Sequence, residues 1–578
     1  MIFSPAVLFS LSIAYLGMLF LLAHASEKGW LPLRWVRHPA VYTLALGVFI
    51  SSWGLYGVVQ FAADFGYNFL AFYMGLSGAF LVAPMFLQPV LRLAKTHQLH
   101  SLPDLLAFRF RSQGVGSIAT LAILVGVMPL LTAQMQTMAD LVYLLTGGHS
   151  SRSMGAFFSG VLICFTLFFG TRQRNTRGLS HDGLVIAIAV ESLIKLIAML
   201  AVVSYAYFGI LGGESGLGQW LTENPGALHQ LYQPLQGGYW HSLLLLFFFA
   251  AVVMPCMYQM AFTENREPRD LVTASWGVPL YFMLMAIGVP ILLWAGEALQ
   301  LNLPPSYYSL GIALHSESPW MTLILFVGTL AASSGILIVT TLALANMLLN
   351  HVLLPIRGLS TEDDLYQRTL RQQRLLIAFI PSAAFLISWL PALKPDSTEM
   401  SMLSFVATIQ LAPSLLALLF WPRATSAGVI SGLAAGILIW FITLVMPAFF
   451  MPELDASAWL GLEVSNQLAH WQAMGLIATL VNIALLLAVS LLSKQSADDK
   501  EIAEACSVDN LRSPVRWGLS ADSTEAFISA LSPSLGPVTA EREVRMALQD
   551  LALRSDERRP YALRRLREQL NANLSGLL

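Results

Sequence analysis

The sequence predicts an all-α polytopic membrane protein followed by a small cytoplasmic helical domain. Three observations carry that prediction. Of the 578 residues, 56% are hydrophobic and only 11% are charged, with mean hydropathy +0.65, whereas an ordinary soluble domain carries about 25% charged residues. Thirteen apolar runs are long enough to cross a bilayer, which takes about 20 residues in a helix. The loops between those runs alternate in basic charge, as the positive-inside rule requires of a chain that crosses repeatedly.

The runs lie near 3–24, 39–61, 67–92, 114–146, 155–171, 182–212, 240–260, 270–298, 318–355, 373–393, 399–421, 425–450 and 472–493. The first, MIFSPAVLFSLSIAYLGMLFLLAHA, lacks the charged start of a signal peptide and is read as a retained spanning helix. One set of loops holds Lys28, Arg34 and Arg37, then Arg92, Lys95, Arg109 and Arg111, then Arg172, Arg174 and Arg177. It continues with Arg266, Arg269, Arg357, Arg368, Arg371, Arg374 and Arg423. The other set holds only Arg152 and Lys394 as bases, with acids such as Asp64, Glu214, Glu223, Glu453 and Asp455. The first set is therefore placed in the cytoplasm, the N-terminus outside and the C-terminus inside.

Residues 1–493 thus form the transmembrane domain, 494–504, beginning in SKQSADDKE, a charged linker, and 505–578 a helical domain. Three amphipathic pieces make up the last: ADSTEAFISAL, TAEREVRMALQDLAL and SDERRPYALRRLREQLNANL. The second is expected to start at Thr539 as N-cap, with Val544, Ala547, Leu548 and Leu551 as its apolar stripe. The third carries Leu563, Leu566, Leu570 and Leu574 on one face. Its arginines are read as a solvated face or as a lipid- or RNA-binding surface, the first preferred.

Several chemistries are disfavoured. A net charge of -2 and a pI near 6.6 argue against a nucleic-acid partner. Cys164, Cys256 and Cys506 are too far apart for a disulfide framework or a CxxC site. His97, His100 and Asp104 have helical spacing, but nothing nearby completes a metal site, so a solvated face is preferred. His181 and His470 stand alone. No metal, cofactor or catalytic residue is expected.

The sixth run contains IAIAVESLIKLIAML, with Glu191 and Lys195 one helical turn apart. A charge at the bilayer centre costs about 2.5–3.5 kcal/mol, so both should face the protein interior. Three uses stay open: a structural ion pair, a proton or charge relay, and a latch that differs between loaded and empty states. Asp140 lies near the outer end of the fourth run.

Three motifs now bring a family into view. The second run reads ALGVFISSWGLYGVVQFAADFGYNFL, a loop reads KTHQLHSLPDLLAFRFRS, and the ninth run reads TLAASSGILIVTTLALANMLLNHVL. Together they resemble the sodium/solute symporter family. The resemblance implies a LeuT-like 5+5 inverted repeat, with spans two to six and seven to eleven as the repeats. Solute would bind at the midplane, where one helix of each repeat is broken. The implied substrate contacts are Ser51, Ser52, Trp53 and Gly54 at the first break, and Phe247 and Phe248 beside Pro255 at the second. The implied ion ligands are the carbonyls of Gly47, Ile50 and Ala331 and the hydroxyl of Ser334. Gly335 stands where that family has a second hydroxyl, so the coupling ion is left as proton or sodium. Sliding the helix by one residue offers Ser333 and Ser334 but moves Ala331 and Asn350 out of register.

A narrower resemblance rests on GLSHDGLVIAIAVESLIKL and on LRRLREQLNANLSGLL. These look like CbrA-type sensor histidine kinases of the bacterial inner membrane, where a carrier module joins a kinase through a STAC domain. That resemblance implies an amino-acid substrate, histidine, and a downstream kinase domain and response regulator in full-length relatives. This chain has no H-box and no kinase ATP-site motifs, so it would be the carrier and STAC portion, its apolar end leading into a further helix. The expected function is transport or sensing of an amino acid. The alternative is a solute receptor that signals without turnover. A purely structural scaffold is disfavoured by the polar midplane breaks.

Overall fold

The computed structural model describes residues 3–147, 182–232, 237–357, 365–389, 396–451, 467–495, 499–500, 502–503, 506, 523–551, 553–554, 562–563, 565–567 and 569–570. Among them regular structure is helical throughout. The chain divides into two compact units, Met1–Ser507 and Val508–Leu578.

In the first unit, eight helices are long and apolar enough to span a bilayer, or ten if each of two bent pairs counts as one span. It is a membrane protein. Thirteen is not reached among the described residues. The expected fifth span, 155–171, lies outside them, with Arg152, Cys164, Arg172, Arg174, Arg177, His181, Lys394, Glu453 and Asp455. The expected third span, 67–92, ends early. Its helix stops at Leu81, and Pro84, which has no amide to donate, sits in the turn before a separate helix Leu87–Thr96.

The elements that position the site are these. α1 is Pro5–Glu27, α2 is Pro39–Ala45 with a tighter turn over Leu46–Phe49, and α3 is Val58–Phe65, preceded by a wide turn at Trp53–Gly57. α4 is Leu70–Leu81, α5 Leu87–Thr96, α6 Leu102–Phe110 and α7 Gln113–Leu145. α8 is Asp182–Tyr205, α9 Gly237–Val253, α10 Pro255–Tyr258, α11 Pro268–Ala298 and α12 Pro319–Leu348. α13 is Leu365–Ser388, α14 Ser397–Thr408, α15 Ala412–Phe420, α16 Ser426–Trp440 and α17 Gln467–Leu492.

Their ends follow ordinary capping chemistry. Ser101 accepts from the Asp104 amide at 3.1 Å to start α6, and Asp396 from Glu399 at 2.7 Å to start α14. Proline occupies the first turns of α1, α2, α6, α11 and α12, where its missing N–H is harmless. Pro129 inside α7 breaks the local ladder, and the Leu130 amide donates to Ser404 Oγ of α14 at 2.8 Å.

α8 lies at the centre, packed on α1, α2 and α12; α4 packs on α9 and α11, α7 on α12 and α14, and α16 on α17. Gly47 makes the α2–α8 approach: a Cβ there would meet Ser192 Oγ at 2.8 Å and Ser192 Cβ at 2.9 Å.

The second unit packs α18 (Thr524–Leu535) on α19 (Pro537–Asp550). Phe527, Leu531, Val544, Leu548, Leu563 and Leu566 share its apolar core. α19 begins two residues before the expected Thr539 cap. Gly536, at φ 81°, turns the chain and Pro537 opens the helix, so Thr539 lies inside it. Leu574 lies outside the described residues.

Candidate functional site

Two spanning helices are broken inside the first unit. The chain bends by 75° between the α2 segment and the helix that starts at Trp53, and by 50° between α9 and α10. The first break is at Ile50–Ser51, at the N-terminal edge of the Ser51–Gly54 stretch expected from sequence, and the second is at Met254–Pro255.

A broken helix leaves carbonyls on one half and amides on the other without partners. At the first break the amides are satisfied internally. The Ser52 amide donates to Gln134 Oε1 at 3.0 Å, the Trp53 amide to Ser51 Oγ at 3.3 Å, and the Gly54 amide to the Ser51 carbonyl at 2.9 Å. Ser52 Oγ also donates to Gln134 Oε1, at 2.7 Å. The carbonyl side is satisfied by a charge: Lys195 Nζ donates to the Ile50 carbonyl at 2.9 Å, and Lys195 is 0% exposed. A cation at the C-terminal end of a half-helix is also favoured by the backbone dipole.

Glu191, likewise 0% exposed, faces another way. Its Oε1 accepts from Ser334 Oγ of α12 at 2.7 Å and from Tyr15 of α1 at 3.0 Å. Its Oε2 is buried without a hydrogen-bond partner and lies against Gly335, where an added Cβ would overlap it. The position expected to lack an ion-binding hydroxyl is thus filled by a carboxylate from α8.

No side-chain ion pair joins Glu191 to Lys195. Helical spacing put them on one face, but their side chains diverge: the ammonium to the break in α2, the carboxylate to α1 and α12. The structural ion pair expected from sequence is thus not a direct contact, although the two buried charges remain within electrostatic reach of each other. Each charge ties α8 to a different neighbour, and removing one partner of such an arrangement leaves a costly lone charge.

The expected contact residues separate. Trp53 and Phe247 join Phe72 and Phe405 in one ring cluster: Trp53 lies 4.7 Å from Phe72, 5.5 Å from Phe405 and 6.2 Å from Phe247, centroid to centroid. Phe49 adds to it, 5.1 Å from Phe72. Trp53 Nε1 is buried without a hydrogen-bond partner. Phe248 points elsewhere, 5.2 Å from Phe86. Ser51, Gly54, Gly47, Ile50, Ala331 and Ser334 are all buried. Asp140 accepts from Tyr307 at 3.0 Å, while Tyr56 and Thr329 lie 2.5 Å apart across α12.

A second polar cluster surrounds α6. His351 Nε2 lies 2.7 Å from Asp104 Oδ1, while Gln113 and Ser117 donate to the His351 carbonyl at 3.4 and 2.6 Å. Burial pushes the Asp104 carboxyl up, but the hydrogen bond and charge of His351, with Ser101, outweigh it and hold it below its ordinary value of 3.8. Asp104 is thus engaged by His351 and, through Oδ2, by the His100 amide at 3.1 Å. His97 stacks on Phe108 at 4.3 Å, and the His100 carbonyl accepts from Thr263 at 2.8 Å. No group of three metal-ligating side chains occurs among the described residues. Lys95 donates to the carbonyls of Asn265 and Arg266 just beyond the second broken helix.

Sequence reasoning missed Gln134, Tyr15, Phe405 and His351. Each acts across a large gap in sequence and carries no local signal. A buried glutamine in an apolar helix was the most visible clue of the four.

No family model matches the chain, and no curated protein matches it in sequence. Among solved structures, a substrate-bound, outward-open Na+-coupled sialic acid symporter is similar over 84% of this chain and 98% of its own, at 13% identity and TM-score 0.60. Mhp1, a nucleobase-cation-symport-1 family transporter, covers 81% of this chain and 95% of its own at 13% identity, with TM-score 0.46. A manganese transporter from Eremococcus coleocola reaches 0.39. With its two broken helices, the chain has the LeuT-like fold.

Proposed function

We propose that this protein is a secondary carrier for a small organic solute in which a proton, carried by the Lys195–Glu191 system, takes the place of a bound sodium ion. The observation that carries this reading is the Lys195 ammonium on the Ile50 carbonyl. By resemblance that carbonyl is a sodium ligand. Ser334, the implied hydroxyl ligand, is meanwhile engaged by Glu191. Two of the implied oxygens are thus in use by groups of the chain itself.

In this mechanism the protonated amine holds the α2 break closed against α8. Loss of a proton from Lys195 removes the charge that grips Ile50 and releases α2. Uptake of a proton restores it, so the proton gradient biases the two states. Solute sits beside the Trp53–Phe247–Phe405 ring cluster, with Ser51, Ser52 and Gly54 supplying polar contacts. By resemblance the solute is an amino acid, histidine. Ser101–Arg111 and the other basic loops face the cytoplasm of a bacterial inner membrane, with the N-terminus periplasmic. Residues 505–578 act as a STAC-like domain that relays carrier occupancy to a kinase domain and response regulator in full-length relatives.

The test is uptake of labelled histidine into proteoliposomes under a proton gradient alone and under a sodium gradient alone. Accumulation with protons only is expected. Accumulation driven by sodium alone refutes the proton assignment. Saturable binding without accumulation under either gradient favours the receptor reading instead.

A further inference from the structure

An apolar cavity of about 380 Å³ lies between α9, the α14–α15 segment and α17, within the ~300–1,000 Å³ range of ordinary ligand pockets. It is distinct from the ring cluster. Phe247 faces the cluster, while Phe249, on the same helix, lines the cavity.

The three walls run in one direction. Ser242, near the start of α9, accepts from Gln472 Nε2, near the start of α17, at 2.9 Å; deeper in, Gln410 donates to Thr479 at 2.9 Å. Tyr239, Ser242 and Gln472 therefore form a polar end where the helices begin. Beyond it the walls are almost wholly apolar, with Leu246, Phe249, Val406 and Pro413 prominent. The cavity is open on one side. Leu245, Leu416, Leu476 and Ile483 line it and are 55%, 37%, 44% and 36% exposed. On a membrane protein, exposed leucines at mid-helix face the hydrocarbon.

We propose that an acyl chain of a bilayer phospholipid lodges in this crevice, with its headgroup at the Tyr239–Ser242–Gln472 end. The shape and polarity match one amphipathic chain: polar at the helix ends, apolar toward the middle, and continuous with the lipid-facing wall. A water-soluble solute would exchange its hydration for an almost wholly apolar wall. An unfilled gap would forfeit the contacts of its lining. The seated chain backs α9, the helix whose other side presents Phe247 to Trp53.

The full chain is reconstituted in phosphatidylethanolamine/phosphatidylglycerol vesicles doped with a phosphatidylcholine bearing a diazirine in its acyl tail. After irradiation, crosslinked peptides are mapped. Crosslinks at 242–249, 409–416 and 468–483 should exceed those on the exposed leucines, valines and methionines of α1 and α11 at least threefold. Ala412→Phe, which fills the crevice floor, should bring them down to the α1 and α11 level. If that variant is not monodisperse in gel filtration, Leu476→Gln at the mouth serves and should lower crosslinking at least twofold. Crevice labelling equal to that of α1 and α11, or unchanged by the folded variant, overturns the proposal. The readout does not depend on transport, so it stands or falls apart from the carrier reading.

Discussion

The two helix breaks solve one physical problem in different ways. At Ile50–Ser51 the orphaned backbone groups are met by side chains from other helices: Lys195 takes the carbonyl, and Gln134 takes an amide. At Met254–Pro255 proline removes one donor and the backbone closes on itself, the Met254 amide donating to Ala250 at 3.2 Å and the Met254 carbonyl accepting from Tyr258 at 2.9 Å, while Lys195 lies within electrostatic reach of Cys256. Where both breaks in a fold bind ligands, both need exposed dipoles. Here side chains of other helices meet the first break, while the second closes largely on its own backbone. Under the proposed mechanism the first break is where the proton acts, and the second shapes the wall around the solute.

The sharpest way to break that contrast is Lys195→Met. It leaves the Ile50 carbonyl unpartnered and Glu191 without a compensating charge, which on known buried pairs costs about 3–5 kcal/mol. Thermal unfolding in detergent should drop markedly, and proton-driven uptake should vanish. Wild-type stability with intact uptake would return Lys195 to a passive role. Sodium dependence offers a second route. Gly335→Ser alone should be destabilising by about 1–3 kcal/mol, because its side chain meets Glu191. Combined with Glu191→Ala and Lys195→Met, the same serine gains room beside an emptied carbonyl. Sodium chloride, but not choline chloride, should then raise the unfolding temperature of the triple variant and leave wild type unmoved.

The second break is tested by neighbours. Phe247→Ala removes a fully buried ring from the cluster and should cost about 3–5 kcal/mol together with solute affinity. Phe248→Ala, partly exposed and facing Phe86, should cost less and spare affinity. Equal effects would dissolve the distinction between the two rings. The smallest effect is expected away from both breaks. Asp104→Asn should cost about 1–3 kcal/mol through the His351 contact. Because the folded Asp104 carboxyl is held below 3.8, its contribution is fully present above that value and is lost as pH falls through the lower, folded one. The variant should therefore differ from wild type at neutral pH and converge with it in strong acid.

How much of this was legible in the chain follows the range of each interaction. The broken helices were visible because Ser51–Gly54 and Pro255 are local features of helix chemistry. The buried charges were visible because a carboxylate and an ammonium inside an apolar run have few permitted places. Their direction was not, since spacing along α8 fixes a face and not a partner 145 residues away. The same limit hid Gln134, whose bond to Ser52 spans 82 positions, and Phe405. The third span was overextended because hydropathy runs through Pro84 while the backbone does not. At α19, a threonine suited to capping competed with a glycine–proline pair that fixes the turn more firmly.

Lys195 has a consequence for how the protein would sense its surroundings. An ion drawn from the medium has a concentration, and a site that uses it follows that concentration. A cation tethered five bonds from its own Cα is present at a fixed effective concentration whatever the salt outside. Under the proposed mechanism, the only variable left at that carbonyl is whether the amine carries its proton. Such a carrier is indifferent to the supply of salt and attentive to acidity.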